Sequence, residues 1–293
     1  MRTAILGFCL VLSGPIACQS LPSKSPEARS TVSLLSNLNY DVRSQTESNI
    51  HVVRIPAGNT FVIEPAIATD VTSVSNFKSN AVAVINAGFF DPVNQKSTSH
   101  VTIARQPVAR PQDNDRLTQN PKLKPYLPQI FDRSEFRRYQ CGSAIRYGIT
   151  RHETLVPKDC ELVDAVGAGP QLLPKLTAIE EGFWDPSRGR DAIGYDQPNA
   201  RSAIALTATG EVLLVMVEQQ QSGGGLSLPQ LALLLKDLGA VSALNLDGGT
   251  SSALWVKGKV HFGKRDETGA LVGRSVKSVW VVKAQDSVKL RDF

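Results

Sequence analysis

Apolar and polar positions along this chain fall mainly into short runs separated by Gly, Pro and Asn turns. Residues 50–55 and 60–68 flank the turn Pro56-Ala-Gly58-Asn, which predicts two strands. Residues 81–85 (Ala-Val-Ala-Val-Ile) are an apolar run of strand length, and residues 162–166 resume a strand. Residues 200–206 and 212–217 flank Thr209-Gly210 and predict the clearest hairpin. Residues 241–246 predict a short buried strand, 253–257 and 259–262 pair around Gly258, and 275–283 predict a last strand. One segment carries a helical period: Leu231, Leu234, Leu235 and Leu238 form a single stripe in residues 227–239. Ser227 can cap that helix, Pro229 is tolerated in its first turn, and Gly239 can take the left-handed position after it.

Strands outnumber helices. The pattern predicts an α+β fold, a single β-rich domain of mixed sheets with a few helices packed against them, over about residues 47–284. Residues 285–293 read as a polar tail. Residues 105–138 break the pattern, with five prolines and many Asn, Gln, Arg and Lys; they predict a surface excursion that could serve as a substrate-facing flap. Residues 182–198 read as a polar, aromatic loop containing Trp184, Asp185 and Tyr195.

The N-terminus reads as a targeting segment. Arg2 supplies a short positive region, Ala4 to Leu12 an apolar stretch, and Ser13 to Cys18 a cleavage region of small residues. The apolar run is too short to span a bilayer. Ile16-Ala-Cys18 resembles a bacterial lipobox, although Pro15 stands where that pattern prefers Leu, so lipidation of Cys18 and simple secretion weigh equally. Residues 1–18 are thus a signal peptide, and residues 19–46, rich in Ser, Pro, Asn and Gln, a flexible tether. Of four cysteines, Cys141 and Cys160 remain beyond the leader, and in an exported protein such a pair is most simply a disulfide. A catalytic cysteine would need a partner histidine that the sequence does not place.

With 293 residues, 42% of them hydrophobic, the chain can bury a substantial core. The formal net charge of +5 is dispersed rather than clustered, a weak preference for anionic ligands and poor support for nucleic acid binding.

The chemistry concentrates in Asn245-Leu-Asp-Gly-Gly-Thr-Ser-Ser252, which closes the strand at 241–246. A hairpin turn needs Asp-Gly but not the whole set. Adjacent glycines let backbone approach a ligand, and successive amides can cradle an anion. Asp247 beside them is a candidate nucleophile, base or metal ligand. An ordinary decorated turn is the competing interpretation. Asn86-Ala-Gly-Phe-Phe-Asp91 ends another strand, with at least one phenylalanine in the core, and Gly167-Ala-Gly-Pro170 follows a third. Arg201, at the hairpin entrance, is either a surface charge or a guanidinium aimed at phosphate or carboxylate.

These blocks, together with Ala200-Arg-Ser-Ala-Ile204, occur in an order that resembles the phosphodiester glycosidase family over roughly residues 80–283. The chain departs from that pattern at Ala87, Ser202 and Thr250 and lacks the glycines expected around 97–110. The resemblance implies hydrolysis of a sugar-1-phosphodiester of N-acetylglucosamine type, in envelope or exopolysaccharide metabolism, with a carbohydrate phosphodiester as partner. It places Asp247, Asp91 and Arg201 in the chemistry, with Glu218 as a further carboxylate. It places Asn86, Gly88, Phe90, Gly169, Asn245, Gly248, Gly249, Thr250, Ser251 and Ser252 around substrate. Phosphate is a good leaving group, so a strong general acid matters less than charge stabilisation. Arg201 and the amides of Gly248 and Gly249 would supply that, with Asp247 as nucleophile or base.

Rival readings are a non-catalytic glycan-binding envelope lipoprotein, a serine hydrolase, and a divalent-cation site at Asp247 and Asn245. No Gly-x-Ser-x-Gly elbow supports the second, and no EF-hand spacing the third. The sequence implies no resident cofactor, though an auxiliary divalent cation stays open. His100, just after the Asn86–Asp91 block, is a weak catalytic candidate.

Overall fold

The computed structural model describes residues 38–285. The expected signal peptide, Cys18 and most of the expected tether and tail lie outside them. Three antiparallel sheets dominate, together with two short ribbons.

The first sheet runs Asn39–Gln45, Ser48–Ile55, Val212–Gln219, Arg201–Thr207, Ala240–Asn245, Gln171–Leu173. The second runs Lys259–Phe262, Ala253–Val256, Ala81–Asn86, Val276–Ala284, Phe61–Thr72. The third runs Gln106–Ala109, Val101–Ile103, Glu161–Gly167, Ser134–Cys141, Ala144–Arg151.

Alternation along the strands sorts side chains to two faces. In Val212–Gln219, Val212, Leu214 and Met216 enter a central core shared with Ile63, Ile85, Trp280, Phe136 and Val166. Leu213, Val215 and Val217 point the other way, into a core with Leu228, Leu231, Leu234 and Leu235 of the helix Leu228–Asp237. A strand covered on both faces reads as a continuous apolar run, which is why Val-Leu-Leu-Val-Met-Val stands out in the sequence. Ser227 and Gln230 form a reciprocal capping box at the start of this helix, and Gly239 follows it at φ +91°.

Two expectations need correction. Asn39–Gln45, assigned to the tether, pair with Ser48–Ile55 as the edge strand of the first sheet. Residues 105–138 are not one excursion. They hold the strand Gln106–Ala109, short helical turns between 111 and 131, and most of Ser134–Cys141, a central strand of the third sheet. The Cys141–Cys160 disulfide is present and ties that strand to the segment just before Glu161–Gly167.

Candidate active site

The strands Ala81–Asn86 and Ala240–Asn245 belong to different sheets, yet both end at one place, and buried hydrogen bonds tie them together. Asn86 Nδ2 donates to the Asp247 carbonyl at 2.6 Å, while its Oδ1 accepts from Ser202 Oγ at 2.7 Å and the Ala253 amide at 3.1 Å. The Asp247 amide donates to the Ala87 carbonyl at 2.9 Å. Asn86 is therefore a buckle between the two sheets, fully buried, and does not face ligand.

Gly88 and Gly169 are required by packing. A Cβ on Gly88 would lie 2.6 Å from the Gly167 carbonyl oxygen. Gly169 sits at φ +116°, and a Cβ there would lie 2.5 Å from Glu181 Oε2 and 2.8 Å from the Phe183 ring. Gly169 also donates its amide to the Asn245 carbonyl and accepts from Asn245 Nδ2 at 2.8 Å. That last bond orients the Asn245 amide, because only the nitrogen can donate to a carbonyl. Asn245 Oδ1 is then a buried acceptor with no partner among the described residues.

Asn245, Asp247, Gly248, Gly249 and Arg201 line a cleft of about 450 Å3. The lining also includes the apolar Phe89, Phe183, Leu117 and Ile130 and the polar Arg133, Arg190 and Asp191. Arg133 donates Nε to the Glu181 carbonyl and lies 3.6 Å over the Phe183 ring. Arg190 donates Nε to the Gly182 carbonyl and lies 4.5 Å over the Tyr126 ring. Both guanidinium groups are held through Nε and ring contacts, which leaves their terminal nitrogens for a ligand. Burial lowers the Arg133 pKa, to about 9, which keeps it cationic at neutral pH.

Asp247 is buried, and burial pushes its carboxyl pKa up, opposed by Arg274, Ser251 and the Gly248 amide. Arg274 Nη2 bonds Asp247 Oδ2 at 2.9 Å and its Nε donates to Ser251 Oγ at 2.6 Å. The same guanidinium stacks 4.7 Å over Phe90. Ser251 and Phe90 thus orient the arginine that orients Asp247, and neither lines the cleft.

Other expectations resolve differently. Arg201 spends four donor contacts on backbone carbonyls: Leu226, Ile193, Gly194 and Gln197. It clamps the 193–197 loop onto the cleft rather than presenting a free fork. The Gly249 amide donates to the Ala200 carbonyl, so it is not available to a phosphate. Asp91 lies outside the cleft, accepting from the Val93 amide and pairing with Arg116 at 2.8 Å. Asp191, two residues before the 193–197 loop, is the second carboxylate of the lining. Glu218 is distant in role too, held by His51 at 3.0 Å and Arg265 at 2.9 Å. Thr250 offers its carbonyl to the Arg274 amide, and Ser252 packs against Gly263 with an unpartnered Oγ. His100 stacks on His152 at 3.6 Å, donates from Nε2 to the Phe131 carbonyl at 3.1 Å, and does not line the cleft. Among the described residues no group of three or more His, Cys, Asp or Glu could hold a metal ion.

Arg133, Arg190, Asp191 and Arg274 escape a sequence reading. They sit in polar stretches whose composition resembles any solvated loop, and only the fold brings them beside Asp247.

Two sheets joined through Asn86 thus present one buried carboxylate, Asp247, to a cleft that Arg133 and Arg190 also line. The chain belongs to the phosphodiester glycosidase family, whose profile matches residues 79–283. No curated protein matches it in sequence. Among solved structures, the zebrafish N-acetylglucosamine-1-phosphodiester alpha-N-acetylglucosaminidase catalytic domain, auto-inhibited by its pro-peptide, shares the fold at TM-score 0.63 and 15% identity, over 85% of this chain and 83% of that one. A hypothetical protein from Synechocystis aligns at TM-score 0.54 and 18% identity over 85% of this chain, which spans 62% of that protein's length. A Burkholderia pseudomallei K96243 protein, provisionally described as exported, aligns at TM-score 0.51 and 18% identity, over 80% of this chain and 74% of that one.

Proposed function

We propose that the protein is a hydrolase that cleaves the anomeric C–O bond of a sugar-1-phosphodiester, releasing a sugar of N-acetylglucosamine type. The observation that carries this reading is one cleft holding two arginines with free terminal nitrogens and a buried, arginine-oriented carboxylate. Arg133 and Arg190 bind the phosphate and take up charge as it leaves, the role first given to Arg201. Asp247 serves the anomeric carbon, as nucleophile or as the base that activates water. Water adds at that carbon, and the phosphate departs as a monoester. Asn245 Oδ1 accepts from a sugar hydroxyl or the N-acetyl N–H. Phe89, Phe183, Leu117 and Ile130 suit the C–H face of the ring or the acetyl methyl.

The disulfide and the N-terminal leader support action outside the cytoplasm, on envelope or exopolysaccharide glycans, with Cys18 a candidate membrane anchor. Sugar release from an N-acetylglucosamine-1-phosphodiester, with and without a chelator, tests the reading. Turnover lost in Arg133→Gln and Asp247→Asn, both folded, is the expected result. A folded wild-type chain that binds the diester without cleaving it would make this a glycan-binding protein instead.

A further inference from the structure

The cleft does not end at Arg190. A second cavity, of about 650 Å3, is lined by Pro121, Lys122, Pro125, Tyr126, Arg188, Gly189, Arg190 and Asp191. Arg190 and Asp191 line both volumes, so the two cavities adjoin. Each volume is in the range that holds a small ligand.

The outer cavity is cationic. Lys122, Arg188 and Arg190 surround it, against Asp191 alone. That carboxylate is already occupied by the amides of Ile193 and Tyr195. Arg188 forms a long ion pair with Asp185 at 3.8 Å and makes no side-chain hydrogen bond among the described residues, so its donors are open to a ligand. Lys122 Nζ has no partner among the hydrogen bonds and ion pairs of the described residues. The floor is firm: Tyr126 is buried, its hydroxyl donates to Asp185 at 2.9 Å, and Arg190 lies on its ring. Pro121 and Pro125 stiffen the facing wall.

Resting on the function proposed above, the direction of the substrate follows. With the sugar over Asp247 and Asn245 and the scissile phosphate at Arg133 and Arg190, the aglycone leaves past Arg190 into the outer cavity. A neutral alcohol would gain nothing from cations there. We propose that the substrate is a phosphodiester-linked glycan chain, and that Lys122 and Arg188 bind the phosphate one repeat beyond the scissile one. They are specificity residues, not catalytic ones.

The test compares two synthetic substrates for the full chain. One is an N-acetylglucosamine-1-phosphodiester of a simple alcohol, and the other carries one further glycosyl phosphodiester repeat. The two-phosphate compound is expected to show a kcat/KM about tenfold or more higher, an advantage that shrinks as salt rises. The double variant Lys122→Gln/Arg188→Gln should lose that advantage and leave the one-phosphate substrate unchanged. Equal kcat/KM for the two compounds, or a variant that depresses both alike, overturns the proposal. If neither compound is cleaved, the proposed reaction fails, and calorimetric binding then decides the role of the outer cavity. Tighter binding of the two-phosphate compound, abolished in the double variant, sustains it, and equal binding sinks it.

Discussion

Asp247 pairs a costly position with the chemical use proposed for it. Its carboxyl is pushed above the usual carboxylate range by burial, against the pull of Arg274. A raised carboxyl pKa means the folded state holds the proton more tightly than the unfolded chain does. Ionised Asp247 therefore opposes folding at neutral pH, and the opposition fades as pH falls through its folded pKa. Asp247→Asn should lower kcat/KM by about a thousandfold or more while leaving the melting temperature at pH 7 unchanged or higher. A variant that melts well below wild type would instead make Asp247 a structural residue. Arg274→Gln removes the strongest influence holding the pKa down, so the acid limb of the kcat/KM profile should move to higher pH. An unmoved limb would show that a different group titrates there. At this scale the sequence was partly legible. Asp247 and Asn245 announce themselves by the cluster around them. Arg274 does not, because its contact with Asp247 bridges 27 residues of sequence.

Among elements, the legible ones are those whose burial is apolar. The helix and the 201–219 hairpin are covered by Leu, Val and Ile, so periodicity reports them. Ser134–Cys141 is also buried, but part of its burial is ionic: Glu135 and Arg137 pair at 2.8 Å with side chains 2% and 3% exposed, and His152 completes the network. Charged residues in a strand interior hide it from any hydrophobic reading. The same logic misreads Arg201, whose buried guanidinium serves loop geometry. Arg201→Lys cannot reproduce four carbonyl contacts from one ammonium, so the 193–197 loop should loosen. The expected result is a KM raised severalfold with kcat little changed, because the loop shapes the cleft but Arg201 does not touch the reacting atoms. A fall in kcat alone would return Arg201 to the chemistry. Gly88→Ala should destabilise by roughly 1–3 kcal/mol in denaturant titration, since the contact it would strike is backbone.

For the whole molecule, the third sheet is the support on which the cleft's arginine side rests, and its fastenings are sensitive to redox and to pH. Glu181, fully buried, accepts from the amide and hydroxyl of Ser134 and from the Gln171 amide, and it sits against the same segment that carries Phe183. The disulfide closes a loop with a sequence separation of 19 in this sheet, so Cys141→Ser/Cys160→Ser should lose about 3 kcal/mol of stability. His100 is the pH-sensitive member. Burial, then the charge of the stacked His152, lowers its pKa from 6.5 to about 4. Its neutral form is the one the fold accepts. The contribution is complete above the unfolded pKa near 6.5, and it drains away as pH falls toward about 4, where the unfolded chain binds a proton that the folded chain refuses. Glu135, whose pKa is lowered by His152 and Arg137 despite its burial, loses stability on the acid side in the same sense. His100→Gln retains a donor for the Phe131 carbonyl and does not titrate. Its melting temperature should fall less steeply than wild type between pH 6.5 and pH 4, with the two chains converging in slope above pH 7. Parallel curves throughout would show that the acid sensitivity of the domain lies elsewhere than in the stacked histidines.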